Sequence, residues 1–142
     1  MSLPPDYCDG SNLAEGIHIC TLQELEERFG VGVGRERLFN GLRDVLQRAG
    51  ECRFRKVMLF GSFVSAKQYP GDIDLIWALP PGTETGELSL RCRELIDSQN
   101  SKQRFGLDVF WCYDLPDALQ RMAGLFGMDR TGRKRGLVMI EL

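Results

Sequence analysis

The hydrophobic positions of the chain form two patterns, short continuous runs and longer stretches with helical spacing. The runs Lys56 to Phe60, Asp72 to Leu79 and Leu107 to Cys112 are mostly apolar, which is typical of strands buried on both faces. A similar run, Leu137 to Leu142, predicts a final strand. Helical stretches lie between these runs, so the pattern predicts helices packed on a sheet.

Two helices are predicted before the first of these strands. Thr21-Leu22-Gln23-Glu24 matches a capping box, which starts a short helix from Leu22 to about Phe29. The glycine-rich segment 30–34 lacks a preceding strand and GxGxxG spacing, so it is interpreted as a linker. The second helix is amphipathic and is expected to end at Gly50. Its apolar stripe consists of Leu38, Phe39, Leu42, Val45, Leu46 and Ala49.

Further helices are predicted between and after the strands. Residues 62–69 are compatible with a short helix, and a longer one is expected from near Thr83 or Thr85 to Asn100. Asp114-Leu115-Pro116-Asp117 is typical of a helix start. The core-facing stripes of the last two helices are Leu88, Cys92, Leu95 and Ile96, and then Leu119, Met122, Ala123 and Phe126.

Length and composition place the chain among ordinary globular domains. Its 142 residues predict one domain, with residues 1–15, rich in Pro, Asp, Gly and Ser, as a loose N-terminal arm. No apolar run approaches the ~20 residues that cross a membrane, and no signal peptide is recognisable. Five cysteines without a CxxC pair favour reduced thiols in the cytoplasm over a zinc site or disulfide scaffold. The net charge of −2 provides no general attraction to nucleic acid or membrane.

Paired acids at the start of the second strand carry the strongest chemical signal. Side chains alternate along a strand, so Asp72 and Asp74 project together, with Cα atoms about 6.5–7 Å apart. This spacing suits two metal ions held about 3.5–4 Å apart. Asp108, on the third strand, is the candidate for a third ligand. Crowded carboxylates repel one another, and hard cations such as Mg²⁺ relieve that repulsion.

Gly61-Ser62 follows the first strand and suits phosphate binding. Gly61 permits close approach of a phosphate, and a helix start at Ser62 would offer exposed amides and a hydroxyl. Lys67 lies in the same connection and could reach a phosphate, although a lone loop lysine is more often solvated. Gly-Ser and Pro-Gly-Asp are also common in ordinary turns. The order of these features along the chain, rather than any one of them, favours a site.

Gly61-Ser62, nine further residues and then Asp72 and Asp74 resemble the signature of the DNA polymerase beta-like nucleotidyltransferase superfamily, especially its minimal nucleotidyltransferase branch. The resemblance covers about residues 54–112. It implies an α+β fold with a small mixed sheet flanked by helices. It also implies that Gly61 and Ser62 bind a nucleoside triphosphate (NTP), while Asp72, Asp74 and Asp108 hold two Mg²⁺ ions. The implied reaction transfers a nucleoside monophosphate to an acceptor hydroxyl and releases pyrophosphate.

The acceptor and the partner remain open at this point. The chain has little room for an acceptor-binding domain, so the acceptor is expected to be a protein or RNA. Small members of the superfamily often pair with a helical toxin–antitoxin partner, and the alternative function is a catalytically silent binding module of that kind. The basic turn 130–135 could contact RNA or phosphate, but such turns are more often solvated. His18, Trp77, Trp111 and Cys112 are interpreted as structural residues.

Overall fold

A computed structural model of the chain describes residue 3, residues 7–8 and residues 12–142. Helices and strands alternate irregularly along these residues. The strands are β1 (Tyr7–Cys8), β2 (Asn12–Leu13), β3 (Gly16–Ile19), β4 (Lys56–Phe60), β5 (Ile73–Leu79), β6 (Leu107–Tyr113) and β7 (Gly136–Glu141). The α-helices are α1 (Leu22–Phe29), α2 (Arg35–Glu51), α3 (Leu90–Ile96), α4 (Ser98–Phe105) and α5 (Pro116–Phe126).

Five of the described strands form one mixed sheet in the order β3-β7-β4-β5-β6. β4 runs antiparallel to both of its neighbours, whereas β3 is parallel to β7 and β5 is parallel to β6. β1 and β2 pair separately as an antiparallel ribbon. The α+β class and the small mixed sheet flanked by helices are therefore confirmed. No helix within the described ranges is both long and apolar enough to cross a membrane.

The two faces of the sheet are covered unequally. Helices α1 to α4 pack on one face, where the larger apolar core includes Phe39, Leu59 and the fully buried Trp77. Among the described helices, α5 alone packs on the other face, over a smaller cluster that includes Met58 and Ile76. A single helix leaves one end of that face open, and this is where the candidate site lies.

Most of the predicted elements are confirmed, including the bounds of α1 and β4 and the buried stripe of α2. Three details differ. α2 continues through Gly50 to Glu51, because the backbone N–H of Cys52 closes the last turn on the Arg48 carbonyl. The third helix, predicted from near Thr83 or Thr85 to Asn100, is instead two helices that start at Leu90 and end at Phe105. The second begins because the Asp97 side chain accepts hydrogen bonds from the backbone of Gln99 and Asn100. The connection 62–69 contains only a 3-10 turn at Ser62–Val64.

The cysteines also depart from expectation. Cys52, at the end of α2, and Cys92, in α3, form a disulfide across a sequence separation of 40. The prediction of reduced thiols is therefore wrong for this pair, because the packing of α3 beside the end of α2 brings together two cysteines whose spacing showed no motif. Cys20 and Cys112 are free thiols.

The expected N-terminal arm lies largely outside the described residues. The described part of it pairs Tyr7–Cys8 with Asn12–Leu13, and the Leu13 side chain is buried in the larger core. The short strand β3, which the hydrophobic pattern did not reveal, follows directly and extends the sheet beyond β7.

A buried arginine connects the helical layer to the chain that follows β4. Arg35, in the first turn of α2, donates to the backbone carbonyls of Phe29, Phe63, Ser65 and Lys67 at 2.5–3.1 Å. A buried guanidinium satisfies several carbonyls at once because its five donors have a fixed planar arrangement. Arg35 therefore fixes the course of residues 63–67, which begin directly after Gly61-Ser62.

We expect Arg35→Met to lower the free energy of unfolding by about 3 kcal/mol, because it leaves several buried carbonyls without a donor. Urea denaturation provides the measurement. Arg37→Met, at an exposed position of the same helix, is the matched control and should change the value by less than about 0.5 kcal/mol. Equal losses in the two variants would show that Arg35 does not have this bridging role.

Candidate active site

Strand register brings the predicted acids together. Asp74 lies opposite Phe60 of β4 on one side and opposite Asp108 of β6 on the other, so the three side chains form one row across the sheet. Asp72 immediately precedes β5 and lies two residues before Asp74. Asp72, Asp74 and Asp108 each offer a carboxylate oxygen, and these oxygens lie within 4.8 Å of one another. The structure therefore brings the three carboxylates together, as expected from the sequence.

The acids point to the face of the sheet that α5 covers only in part. Phe60, in the same row, belongs to the small cluster under α5, whereas the alternate residues Ile73 and Leu75 are buried in the larger core. Because side chains alternate between the two faces of a strand, Ile73 and Leu75 lie under helices α1 to α4. The carboxylates lie on the opposite face, where it is open. All three acids are half-buried and accessible from one cleft.

Asp74 has the least favourable environment of the three for a negative charge. Burial, the neighbouring charge of Asp72, and the hydrogen bond and charge of Asp108 raise the pKa of Asp74 to about 7, although Arg135 opposes the shift. Asp74 therefore takes up a proton close to neutral pH. This protonation relieves the mutual repulsion that a bound cation would otherwise relieve.

A lysine that the sequence analysis did not single out lies between the outer two acids. The ammonium of Lys102, on α4, is 2.5 Å from an Asp72 oxygen and 3.1 Å from an Asp108 oxygen. The pKa of Lys102 is raised, first through its hydrogen bond to Asp72. Half of its side chain is exposed, so the ammonium can leave the acids without unfolding α4. In this structure Lys102 supplies positive charge where the resemblance implies metal ions.

Gly61 is required by the position of Asp74. Its φ of 81° lies in the left-handed region, and a Cβ at this position would overlap the Asp74 carboxylate. A residue with a side chain would therefore both strain the backbone and displace the acid. Ser62 begins the 3-10 turn that follows. Gly61 of the predicted Gly-Ser turn thus lies directly against the Asp74 carboxylate.

One cleft of about 1160 Å³ joins these features. Gly61, Ser62 and Lys67 line it together with the three acids. Of the basic turn, Arg130 and Arg135 also line the cleft, whereas Lys134 pairs with Glu15. Further lining residues are aromatic or apolar, namely Phe60, Phe110, Phe126 and Met128.

Not every acid of the cleft is available to a ligand. Asp129 accepts hydrogen bonds from the Thr131 hydroxyl, from the backbone of Thr131 and Arg133, and from the Asn12 amide. These bonds, led by the Thr131 hydroxyl, hold the pKa of Asp129 well below its usual range. Asp129 therefore organises its own turn and is distinct from the three-carboxylate group.

The three carboxylates fit a magnesium site by their chemistry. Mg²⁺ prefers oxygen ligands and is commonly held by one or two carboxylates, with water and phosphate oxygens completing the octahedron. The close approach of the three carboxylate oxygens and the raised pKa of Asp74 are compatible with such a site, because crowded acids favour a bound cation. A metal ion at these acids would have to displace the Lys102 ammonium or bind beside it.

The residues interpreted as structural have structural surroundings. Trp77 is fully buried and its indole N–H donates to the Leu95 carbonyl. Trp111 packs at the edge of the larger core. Cys112 packs on the smaller cluster, and burial raises the pKa of its thiol. The His18 ring contacts the Ala14 carbonyl at 2.6 Å.

The fold and the site define a small α+β protein with three carboxylates and a glycine turn in one cleft. Comparison with protein families gives a match over residues 5–141 to the family of unknown function DUF6932, and the chain belongs to this family. Searches of curated proteins and of solved structures gave no match.

The raised pKa of Asp74 makes the stability of the metal-free protein depend on pH. An acid whose pKa is about 7 when folded and near 3.8 when unfolded holds its proton more tightly in the folded state. Its contribution to stability is fully present below about pH 3.8 and is lost progressively as pH rises from there through 7. In EDTA, we therefore expect the melting temperature of the wild type to fall between pH 6 and pH 8. Asp74→Asn, which carries no charge at any pH, should show a smaller fall.

The control for this measurement is Asp117→Asn, at an exposed acid in the first turn of α5. It should keep the wild-type dependence on pH. Identical melting curves for wild type and Asp74→Asn across this range would contradict the protonation of Asp74.

Proposed function

We propose that this protein is a Mg²⁺-dependent nucleotidyltransferase that transfers a nucleoside monophosphate from an NTP to a hydroxyl of a protein or RNA. We also infer that the fold is a small version of the polymerase beta-like nucleotidyltransferase fold. The observation that carries the proposal is the meeting of Asp72, Asp74 and Asp108 beside the Gly61-Ser62 turn, within one accessible cleft.

Each group at the site has a role in this proposal. Gly61 and Ser62 bind the triphosphate, through backbone that approaches it closely and through the Ser62 hydroxyl. Lys67, which lines the same cleft, neutralises phosphate charge. Asp72 and Asp74 would hold both metal ions, and Asp108 would be a further ligand of the ion that activates the acceptor. When bound, Mg²⁺ lowers the pKa of the acceptor hydroxyl and stabilises charge on the leaving phosphates.

In the reaction, the acceptor oxygen forms a bond to the α-phosphorus while the bond from that phosphorus to the β-phosphate bridging oxygen breaks. Pyrophosphate leaves, and the hydroxyl proton is released. The chain contributes mainly by holding phosphates and carboxylates in fixed positions, which is how phosphoryl-transfer sites generally act. The strand register of Asp74 and Asp108 and the Arg35 contacts to residues 63–67 supply that rigidity.

The second candidate is a silent binding module, such as the antitoxin-like partner of a toxin–antitoxin pair. Lys102 is the observation that favours it, because an ammonium bridging Asp72 and Asp108 neutralises these acids without a metal. The exposure of the Lys102 side chain favours the enzyme, since an exposed ammonium can move away from the acids and make room for a metal ion. The two candidates differ in whether Mg²⁺ enters the site of the unmodified protein.

The first test measures transfer. Incubation with each of four labelled NTPs, Mg²⁺ and cell extract should label a protein or RNA, and Asp72→Asn with Asp74→Asn should lower labelling by at least about a hundredfold. The asparagines keep the shape of the acids and remove the charge that binds metal. Asp117→Asn is the matched control and should label normally. Labelling that persists in the double variant would rule out chemistry at these acids.

The second test measures metal binding by isothermal titration with Mn²⁺ and Mg²⁺. We expect Lys102→Met to tighten binding by about fivefold or more, because the cation no longer has to compete with an ammonium. Arg104→Met is the control on the same helix, since Arg104 pairs with Glu94 instead. Binding by the wild type supports the enzyme. Binding that requires Lys102→Met supports the silent module.

A further inference from the structure

Three phenylalanines form a continuous aromatic cluster in the wall of the cleft. The ring of Phe126, at the end of α5, stacks on Phe60 with centroids 4.5 Å apart and contacts Phe110 at 4.7 Å. The Phe60 and Phe110 centroids are 6.2 Å apart. Phe60 is buried, whereas Phe110 is 41% exposed although two other rings support it. The cluster thus presents an aromatic surface to the cleft through Phe110.

This aromatic surface lies directly beside the carboxylates. Phe110 follows Asp108 by two residues on β6, so both side chains lie on the same face, about 6.6 Å apart along the strand. Asp108 in turn lies opposite Asp74. A nucleotide whose phosphates bind at the acids would therefore reach Phe110 with its base, because only the sugar separates the two and both sites lie in the same cleft.

Other residues that line the cleft suit a flat ring with a polar edge. Met128 also lines the cleft and is 48% exposed, and its thioether adapts to aromatic surfaces. Arg130 lines the cleft as well, and its guanidinium offers hydrogen-bond donors. Arg135 lies over the Phe60 ring at 5.3 Å, so one face of the cluster is already engaged by a planar cation.

We propose that Phe110, supported by Phe126 and Phe60, is the surface on which the nucleobase of the NTP stacks. This inference rests on the proposed function and adds the position of the base to it. Stacking on an aromatic side chain is tolerant of base identity, because every base has a π-face. The site therefore accepts all four nucleotides, with the larger purines bound more tightly than the pyrimidines.

The experiment compares ligands with and without a base. Isothermal titration measures the affinity of the protein for the Mg²⁺ complexes of ATP, GTP, CTP and UTP and of inorganic tripolyphosphate. Wild type should bind ATP at least about fivefold more tightly than tripolyphosphate, and Phe110→Ala should remove most of this difference while leaving tripolyphosphate affinity unchanged. Phe110→Tyr, which keeps the ring, should retain the wild-type ratio.

Two further variants separate stacking from general effects. Phe110→Leu keeps an apolar side chain but has no ring, and it should behave like Phe110→Ala. Leu125→Ala removes an exposed side chain of α5 that is outside the cleft lining, and it should bind like wild type. Circular dichroism of each variant before titration shows that it is folded.

The outcomes distinguish this inference from the proposed function. Equal binding of ATP and tripolyphosphate by wild type, or ATP binding that Phe110→Ala leaves unchanged, would overturn the stacking role while leaving the phosphate site standing. Loss of acceptor labelling in Phe110→Ala at unchanged ATP affinity would assign the aromatic surface to the acceptor instead. No binding of either ligand at millimolar concentration would overturn both proposals.

Discussion

Electrostatic repulsion among three carboxylates is the constraint on which the site depends. Asp74 and Asp108 are paired by strand register, and Asp72 lies two residues before Asp74, so the backbone holds the three acids close together. The raised pKa of Asp74, about 7, favours its protonation, and Lys102 lies between Asp72 and Asp108, and both features relieve the repulsion. The free energy gained by burying the apolar core holds the acids close together against their mutual repulsion. Such unfavourable clusters of charge are typical of functional sites.

The surrounding structure serves this arrangement in distinct ways. Unequal covering of the sheet buries one face under α1 to α4 and leaves the acids at the open end of the other, beyond α5. Gly61 leaves space for the Asp74 carboxylate that any side chain would fill. Arg35 fixes the loop that follows by binding its carbonyls from the opposite layer. The site is therefore rigid where the phosphates are proposed to bind and adjustable at Lys102.

Local patterns in the sequence predicted the parts of the fold that local physics determines. The stripe of α2 and the continuous run of β4 are apolar wherever they face the core, and Asp72, Asp74 and Asp108 stand out because acids are rare in such strands. The Cys52–Cys92 disulfide and the Lys102 contacts depend on how α3 and α4 pack, which spacing does not encode. The Asp97 cap was a readable sign that a separate helix, α4, begins at Ser98.

The central claim is that the three carboxylates form a metal site, and anomalous diffraction tests it most directly. Crystals grown with ATP and saturating Mn²⁺, with data collected at the manganese edge, should show an anomalous peak within about 2.5 Å of oxygens from Asp72, Asp74 and Asp108. The Lys102 ammonium should have moved away from the acids. Absence of any peak there, with Lys102 still bridging Asp72 and Asp108, would contradict the account.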